Sequence, residues 1–154
     1  MITRGFGDLL EIGTQARPDL FLLNIQKLRP LPECVVEVDA RLDSHGFILA
    51  RPDEAALARE LSRLVVAGVT SLAIVVIHSY RNPELELAIG AVAEGVGFEH
   101  VSLSHRVSPE LGLLARADTT LLDAYLTPLL RSYLAALSAE LPGSTLEAMQ
   151  SSGG

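Results

Sequence analysis

The sequence predicts an α/β fold: a mainly parallel sheet flanked by helices, with an antiparallel β-hairpin at one side. Three observations lead there. From Ala50 onward, short β-branched runs alternate with stretches whose apolar residues recur every three or four positions. The run LAIVVI, residues 72–77, is apolar without a break, as suits a strand covered on both faces. Residues 36–50 alternate apolar and polar around Asp43-Ser44-His45-Gly46, a turn signal that predicts a hairpin.

In chain order, Gly7-Asp8 precedes LLEI, a short helical turn with Asp8 as its expected cap. Residues 14–32 carry Pro18, Pro30 and Pro32 and no period, which predicts a surface loop. Cys34–Leu42 is expected to form one half-buried strand, with FILA at 47–50 as the other arm of the hairpin. Pro52-Asp53-Glu54 opens a helix, with Asp53 as its cap or Pro52 at its first position, and Leu57, Leu61, Leu64 and Val65 give it one apolar face. Gly68 closes it in the left-handed region. A second helix spans 83–96, with Pro83 near its first turn and Gly97 at its end. HVSLS at 100–104 is the next strand.

A short helix is predicted at 109–117, capped by Ser108, and a long one at 119–141, capped by Asp118 or Thr119. Leu122, Leu126, Leu129, Leu130, Tyr133, Leu134 and Leu137 give the long helix a broad apolar stripe, and Tyr125 and Tyr133 are expected in the core. Pro128 predicts a kink or a join. Pro142-Gly143 ends the helix, and STLEAMQ reads as a final strand. Residues 1–154 form a single α/β region, with a loop and hairpin in 1–50 and alternating β/α structure in 51–154.

Composition narrows the function classes. The net charge of −7 and a lone lysine, Lys27, argue against nucleic acid or an anionic membrane as partner. A single cysteine, Cys34, forms no internal disulfide, so a reducing, cytoplasmic compartment is expected. No apolar run is long enough to predict a membrane span, and residues 1–13 lack the pattern of a signal peptide.

Functional residues of parallel sheets collect past the C-terminal ends of strands. Three clusters are predicted there: His78-Ser79-Tyr80-Arg81-Asn82-Pro83, the stretch from Ser104 to Glu110, and the segment from Gln150 to Gly154. Parallel neighbouring strands would bring them to one edge. Each also has a plain structural reading. Asn82-Pro83 shapes a turn, Tyr80 packs on the next helix, Arg81 pairs with Glu84 or Glu86, and Ser108 caps. His78, Ser79, Arg81, His105 and Arg116 are the candidates for a cleft or an interface. Arg116, among apolar neighbours, calls for a carboxylate or solvent. No HxH or HExxH spacing occurs, so no metal site is expected. There is no GxSxG elbow for a serine nucleophile. Ser152, Gly153 and Gly154 are the candidate phosphate loop, because glycine lets backbone N–H groups approach a phosphate. No complete nucleotide motif is present.

Six segments in order carry a family resemblance: ITRGFGDLLEIG, VEVDARLDSHGFIL, IHSYRNPELE, SLSHRVSPE, ADTTLLDAYL and MQSSGG. Over essentially the whole chain they resemble the A-type subunit of the hydantoinase/oxoprolinase family, which includes N-methylhydantoinases, 5-oxoprolinases and acetone carboxylase subunits. The resemblance implies an actin-like (ribonuclease H-like) ATPase architecture. It implies ATP-dependent opening of a cyclic amide, or activation of a carbonyl for carboxylation, with ATP and Mg²⁺ as cofactors and a B-type subunit as partner. Phosphorylating a carbonyl oxygen turns a poor leaving group into a good one. Family members carry a DxGGT loop ahead of these segments and more glycine-rich loops after them. The resemblance therefore implies an internal fragment of a longer enzyme, inactive alone. Asp123 and Ser152 stand where the family has Asn, and Arg116 keeps half of an acidic-Arg pair. The alternative is a small α/β module that binds a ligand or a protein without catalysis.

Overall fold

The computed structural model describes residues 1–14, 21 and 30–141. Two parallel strand pairs meet at one bridge. Strand β1 (Ile2–Thr3) pairs with β2 (Glu37–Val38), and β5 (Ser71–Ile74) pairs with β6 (His100–Leu103). A parallel bridge from Ile2 to Val75 joins them. There Val75 N donates to Met1 O at 3.0 Å and Thr3 N to Val75 O at 3.3 Å. The order across the four strands is β6-β5-β1-β2, so the parallel arrangement expected from the sequence is present in short form. The hairpin also forms, from β3 (Arg41–Leu42) and β4 (Ile48–Ala50). Asp43 Oδ1 accepts the N–H groups of His45 and Phe47, both at 2.9 Å, and Gly46 takes the left-handed φ of 91° that closes the turn.

The single strand expected over Cys34–Leu42 is broken in two. Ala40 N donates back to Val38 O at 2.8 Å, and this tight turn passes the chain from the parallel sheet into the hairpin. Thr3 Oγ1 donates to Ala40 O at 2.9 Å and holds the break against β1. The alternation hid it, because Val38, Ala40 and Leu42 are all buried on either side of the turn.

Helices cover both faces of β5. Helix α1 (Leu9–Ile12) forms, but Asp8 has helical backbone angles and makes no side-chain cap. Helix α2 (Glu54–Val66) begins as expected, with Ala56 N donating to Asp53 Oδ1 at 2.8 Å. Gly68 follows at φ 92°. Helix α3 (Glu84–Val96) ends on left-handed Gly97. Leu57 and Leu61 of α2, Leu85, Ile89 and Ala93 of α3, and the hairpin's Leu42 share one core with Leu72, Ile74 and Val76. Val75, whose side chain points the other way, packs with Ile2 and Ala117. The alternating use of a uniformly apolar run is what burial on both faces requires.

After β6 the structure departs from expectation. A short helix α4 (Ser104–Val107) follows at once, and Ser108 ends it in an extended conformation rather than capping a helix at 109–117. Helix α5 (Leu113–Glu140) is continuous through Asp118 and Thr119, so neither is a cap. Thr119 and Thr120 satisfy their hydroxyls on the carbonyls of Ala115 and Arg116, one turn back.

No join occurs at Pro128 either. Proline lacks the N–H that would bond the carbonyl four residues earlier, which is that of Ala124. Ser71 Oγ of β5 donates to that carbonyl instead. The sheet supplies the donor that the helix lacks. Tyr125 and Tyr133, expected in the core, are 55% and 64% exposed. Leu122, Leu126, Leu129 and Leu130 are exposed as well. The buried residues of α5 are Arg116, Ala117, Thr120 and Ala124. Strands of two to four residues support only the first part of a 28-residue helix. The strand expected over STLEAMQ, and most of the 14–32 loop, lie outside the described residues.

Two outcomes are expected. Ser71→Ala lowers stability in urea by about 1 kcal/mol, and the loss shrinks in a Pro128→Ala background, where residue 128 regains an N–H for Ala124; a four-variant cycle measures this. The Asp43 carboxyl titrates below 3.8, chiefly because of its bond from Phe47 N, with burial opposing and His45 N adding. Its stabilisation of the turn is complete above the unfolded-state pKa and is lost as pH falls through the depressed folded one. NMR titration of the carboxyl carbon checks the direction, and Asp43→Asn removes that part of the acid sensitivity.

Candidate functional site

The C-terminal ends of β5 and β6 lie side by side, so the first two predicted clusters share one edge. The third, Ser152, Gly153 and Gly154, lies outside the described residues. Past Val76 the chain turns sharply. Ser79 N donates to Val76 O at 3.2 Å and Arg81 N to His78 O at 2.9 Å. His78 sits at φ 60°. A residue with a Cβ pays about 1 kcal/mol there, so the surroundings must hold it. Its ring meets Tyr80 edge-on, with centroids 6.0 Å apart. Tyr80 in turn lies 5.9 Å from the Arg81 guanidinium and 5.5 Å from that of Arg116. Arg81 is thus drawn to the ring, and the expected ion pairs do not form. Glu84 pairs with Arg51 and Glu86 is buried. Asn82 has the turn role: Nδ2 donates to Gly46 O, and Oδ1 accepts from Glu84 N, both at 3.0 Å.

Beneath this edge lies a buried polar network centred on Glu86, which is 0% exposed. Its Oε1 accepts Val76 N at 2.8 Å and Ser104 Oγ at 2.6 Å. Its Oε2 accepts His105 N at 3.0 Å and lies 2.7 Å from His105 Nδ1. Arg116 donates from Nε to Ser104 Oγ at 2.9 Å, from Nη1 to Glu110 O at 2.8 Å and from Nη2 to Val76 O at 2.7 Å. Proton directions follow. Ser104 has one hydroxyl hydrogen and gives it to Glu86, so Ser79 Oγ, 3.2 Å away, is the donor in their contact. Arg116 meets neither the direct carboxylate partner nor the solvent expected of it. It is 0% exposed, and two carbonyls and a hydroxyl satisfy it. Burial lowers its pKa from the ordinary value, while Glu86 and Tyr80 oppose the shift; guanidinium stays protonated at neutral pH.

The edge therefore has two layers. His78, Arg81 and His105 lie at or near the surface, while Ser79 and Arg116 are buried and hold the surface layer from below. Sequence reasoning placed Ser104 in the second cluster without singling it out for the cleft, and left Glu86 out of the candidate site. A signal for Glu86 existed: it stands three, four and seven residues before Ile89, Gly90 and Ala93, which places it on the buried stripe of α3.

Other polar groups are already engaged. The N–H groups of Gly5 and Gly7, a natural anion cradle, both donate to Glu37 Oε1, at 2.9 and 2.8 Å. Near the start of β6, Ser102 Oγ lies 3.0 Å from His100 Nε2 and donates to Asp123 Oδ2 at 2.6 Å, fastening α5 to the sheet. Among the described residues no three His, Cys, Asp or Glu side chains converge as metal ligands, and no helix is long and apolar enough to cross a membrane. A groove of about 290 Å³, lined by Val35, Val36, Val69, Leu72 and Tyr125 among others, opens beside the first residues of β5, away from the polar edge.

Removing one member of the buried network strands its partners. Arg116→Met should cost about 3–5 kcal/mol, because it leaves Glu86 without its neighbouring cation and strips a donor from the Val76 and Glu110 carbonyls. Urea unfolding reads the loss directly, and a cost below about 1 kcal/mol would contradict the network's role in stability.

Comparison with known proteins identifies the family of the chain. Residues 1–97 match the hydantoinase/oxoprolinase N-terminal region. The 5-oxoprolinase of Saccharomyces cerevisiae is 38% identical across 99% of this chain, and 5-oxoprolinase 1 of Arabidopsis thaliana is 38% identical across 86%. The chain spans only 14% and 12% of those relatives' lengths. Among solved structures, an ATP-dependent caprolactamase from Pseudomonas jessenii superimposes with a TM-score of 0.73 at 26% identity, over 90% of this chain and 21% of that one. Nucleotide-free acetone carboxylase superimposes with a TM-score of 0.75 at 23% identity, over 90% and 22%, a likeness of fold. On the match of residues 1–97 and the identity to the 5-oxoprolinases, the chain belongs to the hydantoinase/oxoprolinase family.

Proposed function

We propose that this chain is a central region of a longer ATP-dependent enzyme that opens a cyclic amide, with a carbonyl activated by phosphorylation. The observation that carries the reading is the 38% identity to a 5-oxoprolinase across 99% of the chain but 14% of the relative. The likeness to a structure titled as an ATP-dependent caprolactamase adds a second lactam-directed relative. An actin-like architecture for the whole enzyme, a B-type partner subunit and a cytoplasmic location belong to the same proposal.

Among the described residues, the Gly5–Gly7 cradle is already filled by Glu37, which leaves its N–H groups no room for a phosphate. Nucleotide and metal are assigned to other parts of the longer enzyme, with Ser152, Gly153 and Gly154 proposed to open one of its phosphate loops. The polar edge is assigned to the cleft or the partner subunit. There His78, Arg81 and His105 are the groups near enough to the surface for contact, and Ser79 and Arg116 hold them in place.

The test is made on the native protein that contains this chain. Purified from source cells with an antibody to the chain, it should release ADP in step with the opening of 5-oxoproline, hydantoin or caprolactam. The 154-residue chain alone should turn over none of them. A native product of the chain's own mass, with no ATP-dependent ring opening, would overturn the enzyme reading in favour of a small binding module.

A further inference from the structure

We infer that Glu86 fixes His105 as its Nδ1–H tautomer, so that Nε2 faces the edge as a hydrogen-bond acceptor for a neutral donor such as the ring N–H of a lactam. The donors around Glu86 argue for the first part. Glu86 already receives hydrogens from Val76 N, Ser104 Oγ and His105 N. Held by these three donors and with the Arg116 guanidinium behind Ser104, Glu86 is taken as the ionised carboxylate, which has no proton to give. The 2.7 Å contact with His105 Nδ1 is therefore a hydrogen bond donated by the imidazole. Arg116 favours the same state: it touches Ser104, which donates to Glu86, and so sets a buried cation behind the carboxylate.

Geometry supports the second part. Nδ1 lies against a carboxylate whose side chain is 0% exposed, while the His105 side chain as a whole is 13% exposed. The accessible part of the ring is thus the side turned away from Glu86. A bound carboxylate or phosphate offers no hydrogen to a lone pair, whereas an amide N–H or a hydroxyl does. Glu86 acts through His105 and is a positioning residue; His105 is the group that would meet the ligand. The lactam assignment rests on the proposed function, but the tautomer does not.

Long-range nitrogen–proton NMR on the labelled chain, at alkaline pH, tests both parts without turnover. His105 should show a protonated Nδ1 and a pyridine-like Nε2, with His45, His78 and His100 as internal references. In Glu86→Gln the ratio of the two tautomers should fall at least tenfold. A wild-type His105 protonated on Nε2, or a folded Glu86→Gln with the wild-type ratio, overturns the inference. If Glu86→Gln does not fold, Glu86→Asp, which withdraws the carboxylate by one methylene, takes its place with the same two outcomes. Pyrrolidinone should shift the Nε2 resonance and N-methylpyrrolidinone should not. An equal response to both, or no response to either, removes the neutral-donor assignment while leaving the ATP-dependent reading to its own assay.

Discussion

The carboxylate of Glu86 is the point at which the rest of the fold is tied. It sits in the first turn of α3 and reaches the backbone just past β5, the first residue of α4 and the His105 ring. Through Ser104 it is linked to Arg116 of α5. The end of β5 and the start of α4 thus meet on two oxygens of α3, and α5 joins them through Ser104. Burying such groups is costly in itself. Apolar residues of the same volume could fill the space, but they would not fix the directions of so many donors. What the network adds is position: the HSYRNP turn and the start of α4 cannot move independently of the helices beneath them.

Legibility in the sequence followed the range of the interaction. The Asp53 cap, the left-handed glycines at 68 and 97 and the Asp43–Gly46 turn depend on neighbours within a few residues and were readable, and the two-sided strand, read over 72–77, forms over 71–74. The break at Ala40 was not, because the chain changes partner strand without changing its alternation. Ser108 looked like a cap because the residues after it suit a helix, yet α4 begins earlier and α5 later. The tyrosines of α5 were assigned to a core that the described part of the sheet is too small to provide. At the polar edge the surface residues were recognisable by type. The acid that orders them resembled an ordinary first-turn glutamate and betrayed itself only by its spacing.

Family membership and the two-layer edge bear on each other. Segments carrying the resemblance, IHSYRNPELE and SLSHRVSPE, contain Ser79, Glu86, Ser104 and His105, so what is recognisable in sequence is in large part the network itself. Arg116 falls just ahead of a third such segment. A motif read as chemistry can therefore owe much of its form to the scaffold below, with a smaller set of residues left to meet a ligand.

The bond from Ser71 to Ala124 has a consequence for the order of assembly. On either side of Pro128 the helix can coil by itself, but the carbonyl at 124 stays wet until β5 arrives with its hydroxyl. That carbonyl exchanges water for a protein donor only as α5 docks on β5, so the bond acts on the docking of the helix against the sheet and not on the winding of its turns.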